Sequence, residues 1–187
     1  VSANPLDEYR NLLPLLTTCQ LADLQSNPKD TYVRVAGTVI NLSRKVSRRG
    51  DSYARFILED LSGRMEVMVF PSAYRRNANN LESDQAVIME GYLDTREEQP
   101  KISLRRVQPI PANLKELNIR IDDSNDTNDK KEAMVTLLKK FPGEQEVILH
   151  MPGRRVLVLN DNLRVRPHIE LKEKLSALFG RENIWFA

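Results

Sequence analysis

Residues 32–40 read Tyr-Val-Arg-Val-Ala-Gly-Thr-Val-Ile, and their apolar side chains recur at every second position. Val33, Val35, Gly37 and Val39 point one way and Arg34, Ala36, Thr38 and Ile40 the other, the period of a strand and not of a helix. The pattern runs to about Lys45, and so long a strand needs the bend that Gly37 permits. Arg48-Arg49-Gly50-Asp51 then reads as a hairpin tip. Tyr53 to Leu61 is a second strand, with Ala54, Phe56 and Leu58 on one face. Asp60-Leu61-Ser62-Gly63 turns the chain into a third, where Met65, Val67 and Val69 alternate with Arg64, Glu66 and Met68. Pro71 ends it, and Ser72 to Leu81 reads as a short polar helix. Ala86 to Leu93 and Lys101 to Ile110 are two more strands, joined by Arg96-Glu97-Glu98-Gln99-Pro100. Three strands, a helix and two strands, with the first long and bent, is the order of a five-stranded OB-fold barrel. Bending one strand across both sheets closes such a barrel without an exposed edge.

The flanks read differently. Asn4-Pro5 is a helix start, with Leu6, Tyr9, Leu12, Leu13 and Leu16 at helical spacing and Pro14 kinking the end. After Pro109-Ile110-Pro111, strands at Leu117–Ile121, Val147–Met151, Arg155–Leu159, Leu163–Val165 and Ile184–Phe186 interleave with helices at Lys130–Phe141 and Ile169–Phe179. Pro142-Gly143 is expected to stop the first of these helices. The fold class is therefore mainly β plus α/β: a helical lead-in and connector (1–30), an OB-fold nucleic-acid-binding domain (31–111) and a small α/β domain (112–187).

Composition narrows the functions. Hydrophobic residues make up 41% of the 187, enough for a packed core. No apolar run is long enough to span a membrane, and no basic-led apolar leader opens the chain. The single cysteine, Cys19, forms no internal disulfide, which together with the missing leader suggests a cytoplasmic setting. A first residue of Val1 suggests a piece of a longer chain. All seven glycines are isolated, so no phosphate-cradling loop is present. Cys19, His150 and His168 lie too far apart in sequence for a zinc site, and each histidine reads as structural or capping. Asp122-Asp123-Ser124-Asn125-Asp126 lacks the glycine and distal glutamate of a calcium loop. No active site is apparent.

The net charge of +2 hides an uneven distribution: −2 over residues 1–30, +3 over 31–111 and +1 over 112–187. Arg44, Lys45, Arg48, Arg49 and Arg55 fall close together, opposed by Asp51 alone, the footprint of a polyanion partner. An OB-fold binds single strands across its second and third strands and the loops beside them, with cations for phosphates and aromatic rings for bases. Tyr53 and Arg55 alternate away from the Phe56 and Leu58 core, Arg64 opens the third strand, and Arg96 and Lys101 flank the second hairpin. Both hairpins are expected to converge on one face, making Arg44, Lys45, Arg48, Arg49, Tyr53, Arg55, Arg64, Arg96 and Lys101 the candidate binding residues. Arg75 and Arg76, on the polar helix, are expected at the barrel's other end.

Val35-Ala36-Gly37-Thr38-Val39, the tip Arg49-Gly50, the run Phe56-Ile57-Leu58-Glu59-Asp60-Leu61-Ser62-Gly63 with its continuation to Pro71, and Val87-Ile88-Met89-Glu90-Gly91 resemble one particular OB domain. It is that of the bacterial replicative DNA polymerase III alpha subunit. Pro5-Leu6-Asp7-Glu8-Tyr9-Arg10 resembles the helix before that domain, with Asn4 where many members carry His. Residues 112–187, with Phe141-Pro142-Gly143 between helix and strand, resemble the family's C-terminal domain. The resemblance implies a non-catalytic part of a DNA-directed DNA polymerase, a nucleotidyltransferase of the replisome whose magnesium site lies elsewhere in the subunit. It implies single-stranded template DNA, the clamp-loader tau subunit and the remainder of the alpha subunit as partners, with no cofactor in this chain and no membrane. The glycine and Leu-Glu-Asp phrases also occur in tRNA anticodon-binding OB-folds of aminoacyl-tRNA synthetases, which is the alternative reading. Gln20-Leu21-Ala22-Asp23-Leu24 faintly resembles a peptide that docks on the sliding clamp, but its place before the barrel suits a structural connector better.

Overall fold

The computed structural model describes residues 4–187. Asn4 opens the first turn through its side chain, whose Oδ1 accepts from the Leu6 backbone N–H at 2.9 Å. The continuous helix expected over Leu6–Leu16 is replaced by a 3-10 turn at Asp7–Tyr9 and a single α-helical turn, α1 (Leu13–Leu16). Pro14, which brings no backbone N–H to a helix, sits inside α1. A further 3-10 segment, Leu21–Ser26, sends Leu21 and Leu24 into the barrel core. Its N–H groups are anchored too, Leu21 N donating to Asp60 Oδ2 at 2.9 Å and Ala22 N to Ser62 Oγ at 3.0 Å. That seat accounts for Gln20–Leu24 as a connector. The chain divides into two units: the described residues through Leu13 with Cys19–Ile110, and Pro14–Thr18 with Pro111–Ala187. The lead-in is thus shared between the units.

The first unit is the barrel. β1 (Tyr32–Val46), β2 (Ser52–Glu59), β3 (Arg64–Val69), β4 (Ala86–Asp94) and β5 (Lys101–Pro109) close in the order β1-β2-β3-β5-β4. β3 and β5 pair in parallel, and all other pairs are antiparallel. β1 serves both ladders, pairing with β4 over residues 32–38 and with β2 over 38–46, so Thr38 is the residue the two share. At the neighbouring Gly37 a Cβ would fall 2.6 Å from Leu58 Cγ and 2.8 Å from the Glu59 carbonyl oxygen, so the crossing needs glycine for closeness. A second irregularity, unforeseen in the sequence, is the register shift between Ile40 and Ser43, where Asn41 takes φ 54°. The inward residues of alternate positions, among them Val35, Phe56, Leu58, Val67 and Met89, make one buried cluster. The polar helix is shorter than expected: α2 (Pro71–Asn77) tightens into a 3-10 turn at Ala78–Asn80.

In the second unit β6 (Glu116–Arg120), β7 (Pro142–Met151), β8 (Arg155–Val158) and β9 (Ile184–Phe186) form a sheet ordered β8-β7-β6-β9. α3 (Asn128–Leu138) and α4 (Ile169–Phe179) contribute Met134, Leu138, Leu171, Leu175 and Phe179 to a core shared with Leu117, Ile119, Val147 and Phe186. His168 caps α4, its Nδ1 accepting from Glu170 N at 3.2 Å. His150 lies 2.7 Å from Asn118 Oδ1 and stacks on Trp185 at 5.4 Å. The strand expected at Leu163–Val165 does not form; a 3-10 turn occupies Asp161–Leu163, and Val165 bridges to Pro142 and Gln145. Those bridges place Pro142-Gly143 at the start of β7; α3 has already ended at Leu138, capped by Lys139, and not at the expected Phe141. No helix among the described residues is long and apolar enough to cross a membrane.

Candidate nucleic-acid interface

Residues directly opposed in an antiparallel ladder share a face, so the register sorts the candidates. Ala54, Phe56 and Leu58 point into the barrel, which leaves Tyr53, Arg55 and Ile57 outside. Lys45 lies opposite Tyr53, and Ser43, Arg55 and Met68 form the next row. Ile40, Ile57 and Glu66 form a third, continued on β5 by Lys101. Here a cleft of about 450 Å³ opens, lined by Ile40, Ile57, Glu66, Glu98, Pro100 and Lys101. The outer face of β1, β2 and β3 is therefore an apolar and aromatic strip beside cations, a surface suited to a flexible polyanion with flat bases.

The nominated cations do not behave alike. Lys45, Arg48, Arg49 and Arg55 are exposed, and none forms an ion pair among the described residues. The tip that carries Arg48 and Arg49 is closed by Ser47 N donating to Asp51 O at 2.8 Å and Gly50 N to Ser47 O at 2.9 Å. Arg44 departs from the expectation. It lies opposite the inward Ala54, so its side chain leaves the outer face and donates to the Leu81 carbonyl at 2.5 Å. Arg64 is paired with Glu59. Arg96 holds Asp94 at 2.5 Å, and Lys101 holds Glu97 at 2.7 Å with Glu66 at 3.9 Å. Glu59, Asp94 and Glu97 are each within five residues of their cation and Glu66 pairs across strands, but Asp51 is as near to Arg48, Arg49 and Arg55 in sequence, so acid spacing alone does not separate the two groups.

Nor do the two hairpins converge. The first tip follows the Val46–Ser52 pair, whereas the second begins at Asp94–Lys101, level with Glu66 and hence Ile57. Ser52 and Ile57 stand roughly 17 Å apart along β2 at ~3.4 Å per residue. The hairpins bound the same face at opposite ends. Arg75 also differs from its expected place, for its Nη1 lies 4.0 Å from Asp51 Oδ1, beside the first tip and not across the barrel from it. Sequence reasoning missed Ile40 and Met68, although β alternation puts both on this face.

Hydrogen bonds from the Arg96 side chain and backbone N–H pull the Asp94 carboxyl down to about 2. The order this pair lends the hairpin is complete above the ordinary carboxylate range near ~4 and is lost as pH falls through about 2. Through neutral pH, Arg96 is therefore masked. Asp94→Asn should expose it, strengthen polyanion binding and steepen the salt slope by about one unit. An unchanged slope in a salt titration would show that Arg96 makes no phosphate contact.

Among the described residues no three His, Cys, Asp or Glu side chains gather as possible metal ligands.

Residues 33–110 match the family model of an OB-fold nucleic acid binding domain. The chain is 30% identical over 189 residues to a DNA polymerase III subunit alpha of Mycobacterium tuberculosis, a match covering 96% of this chain and 16% of the relative. With the same subunit of Vibrio cholerae it shares 28% over 194 residues, 98% of this chain and 17% of the relative. The chain thus spans about one sixth of the length of the curated relatives it matches. Among solved structures, the SSB domain of a Synechococcus protein is 16% identical, with a TM-score of 0.38 over 44% of this chain and 97% of that one. A score of this size adds nothing to the barrel already described.

Proposed function

The chain is a homologue of a segment of the bacterial DNA polymerase III alpha subunit, consistent with its OB-containing C-terminal region, and from that premise we propose that it is a non-catalytic part of a replicative polymerase. Its barrel binds single-stranded template DNA across the outer face of β1, β2 and β3, and its α/β unit docks the clamp-loader tau subunit.

One observation carries the first half: Lys45, Arg48, Arg49 and Arg55 flank the half-exposed Tyr53 and have no ion-pair partner among the described residues. Unneutralised cations attract phosphates, and an aromatic ring beside them stacks a base with little sequence preference. Single-stranded DNA in place of a structured RNA follows from the relatives, which match across both units, whereas the synthetase reading concerns the barrel alone. Support for docking comes from β8, an edge strand whose Val156, Leu157 and Val158 are 62%, 53% and 52% exposed. Exposed apolar edge strands are sites where another chain adds on.

The test is a salt titration of oligothymidylate binding followed by fluorescence anisotropy. Weak binding that falls steeply with salt is expected, with a slope of about three if each of the four unpaired cations meets one phosphate of a single strand. Binding that is indifferent to salt would remove the electrostatic basis of the proposal.

A further inference from the structure

The outer surface of β4 and β5, away from the β1–β2–β3 face, holds a second concentration of positive charge. Burial on β5 alternates from Ile102 to Leu104, then breaks: Arg105 and Arg106 are both exposed before Val107 turns inward again. The register explains the break. Arg106 lies opposite Glu90 and Leu104 opposite Gly91, so Arg105 is the extra residue of a bulge. A bulge leaves ladder groups unpaired, and here a buried asparagine from α2 takes them. Asn77 donates through Nδ2 to the Arg105 carbonyl at 3.1 Å and accepts through Oδ1 from Val107 N at 3.0 Å. Asn80 adds a bond from Nδ2 to the Val107 carbonyl at 3.2 Å. The two arginines are thus held side by side on the outside by a built and buried support.

A cleft of about 650 Å³ lies against them, lined by Arg76, Asn80, Glu90, Arg105, Arg106 and Gln108. Its one carboxylate is committed elsewhere, since Glu90 is ion-paired with the buried Arg34. Burial holds the Arg34 guanidinium below its ordinary range, with the Glu90 carboxylate working against that shift. Arg76, Arg105 and Arg106 have no ion-pair partner among the described residues. Arg105 Nη1 also reaches Tyr92 Oη at 3.3 Å, and the exposed Tyr92 ring packs edge-on against Tyr32 at 5.6 Å. Three uncompensated guanidiniums with an exposed aromatic ring at their edge suit a strand that carries both phosphates and bases better than an acidic peptide, which carries no bases.

We propose that this β4–β5 and α2 surface is a second contact for the backbone of single-stranded polynucleotide, engaged when the strand extends past the β1–β2–β3 face. The inference rests on the barrel's binding of single strands but uses none of the same residues. It makes the footprint of the barrel depend on strand length.

The test compares two oligothymidylates on the full 187-residue chain. One has about 8 nucleotides, inside the ~4–16 that one OB-fold covers, and the other about 30. Arg105→Gln with Arg106→Gln should weaken the long strand roughly tenfold, flatten its salt slope by about two, and leave the short strand unchanged. Both side chains are exposed, so circular dichroism and melting should match the parent. Lys139→Gln with Lys140→Gln, an exposed pair on the other unit, removes the same charge and serves as control. A long-strand loss no greater than the control's would overturn the inference, as would equal losses on both lengths. Displacement of the long strand by polyglutamate as readily as by unlabelled DNA would assign the surface to an acidic protein instead. If the parent binds neither length, the single-strand reading itself fails and this inference falls with it.

Discussion

Arg48→Glu with Arg49→Glu should weaken binding of single-stranded DNA roughly ten- to a hundredfold at low salt and flatten the salt slope by about two. Both residues are exposed on a tip held by backbone hydrogen bonds from Ser47 and Gly50, not by their own side chains. The substitutions should therefore cost less than ~0.5 kcal/mol of stability each. Arg75 is unsuitable for comparison because it stands 4.0 Å from Asp51 in the same tip, where its reversal would alter the same field. Lys139→Glu with Lys140→Glu makes an equal change in net charge on the other unit. A local face predicts a far larger loss for the hairpin pair. Equal losses, measured by anisotropy on folded protein at one salt concentration, would reduce the face to general attraction by a basic domain.

Gly143→Ala should be the most damaging single methyl group in the α/β unit. A Cβ there would lie 2.3 Å from Arg166 N and 2.5 Å from the Val165 carbonyl carbon, both backbone atoms that cannot rotate aside. The same strand crossing is held by Gly143 N donating to Arg164 O at 3.2 Å and Arg166 N to Phe141 O at 3.0 Å. Moving residues 164–166 away would break these bonds and lift the fully buried Val165 from its core. The expected cost is about 3 kcal/mol, the upper end of overpacking penalties. It would be read as a lower denaturant midpoint and as faster hydrogen exchange at Val165 and Arg166. A midpoint within ~0.5 kcal/mol of the parent would mean that the crossing relaxes at little cost.

The barrel was legible because its signals are local. Alternation from Tyr32 to Val46, the tip at Gly50, the turn at Gly63 and the stop at Pro71 lie in short windows, and each marks a period or a backbone requirement. Ile169–Phe179 and Ile184–Phe186 were read to the residue for the same reason, bounded by His168, Gly180 and the chain's own apolar periods. The lead-in was misread as one helix because its leucines have helical spacing, while their burial is decided by where each short piece docks. Leu21 and Leu24 belong to the barrel's core and Leu15 packs against that of the other unit.

The amino-acid sequence by itself determined the order of the barrel's strands, its inward residues and the band of positive charge. Only the tertiary structure decided which of those charges remain available. Whether an arginine meets water or a carboxylate depends on register, and register is a long-range property. Lys101 meets Glu66 because β3 and β5 run parallel, and Arg34 meets Glu90 across the β1–β4 ladder. A bulge decided the rest: one extra residue in β5 reversed the alternation and put Arg105 and Arg106 side by side on the surface.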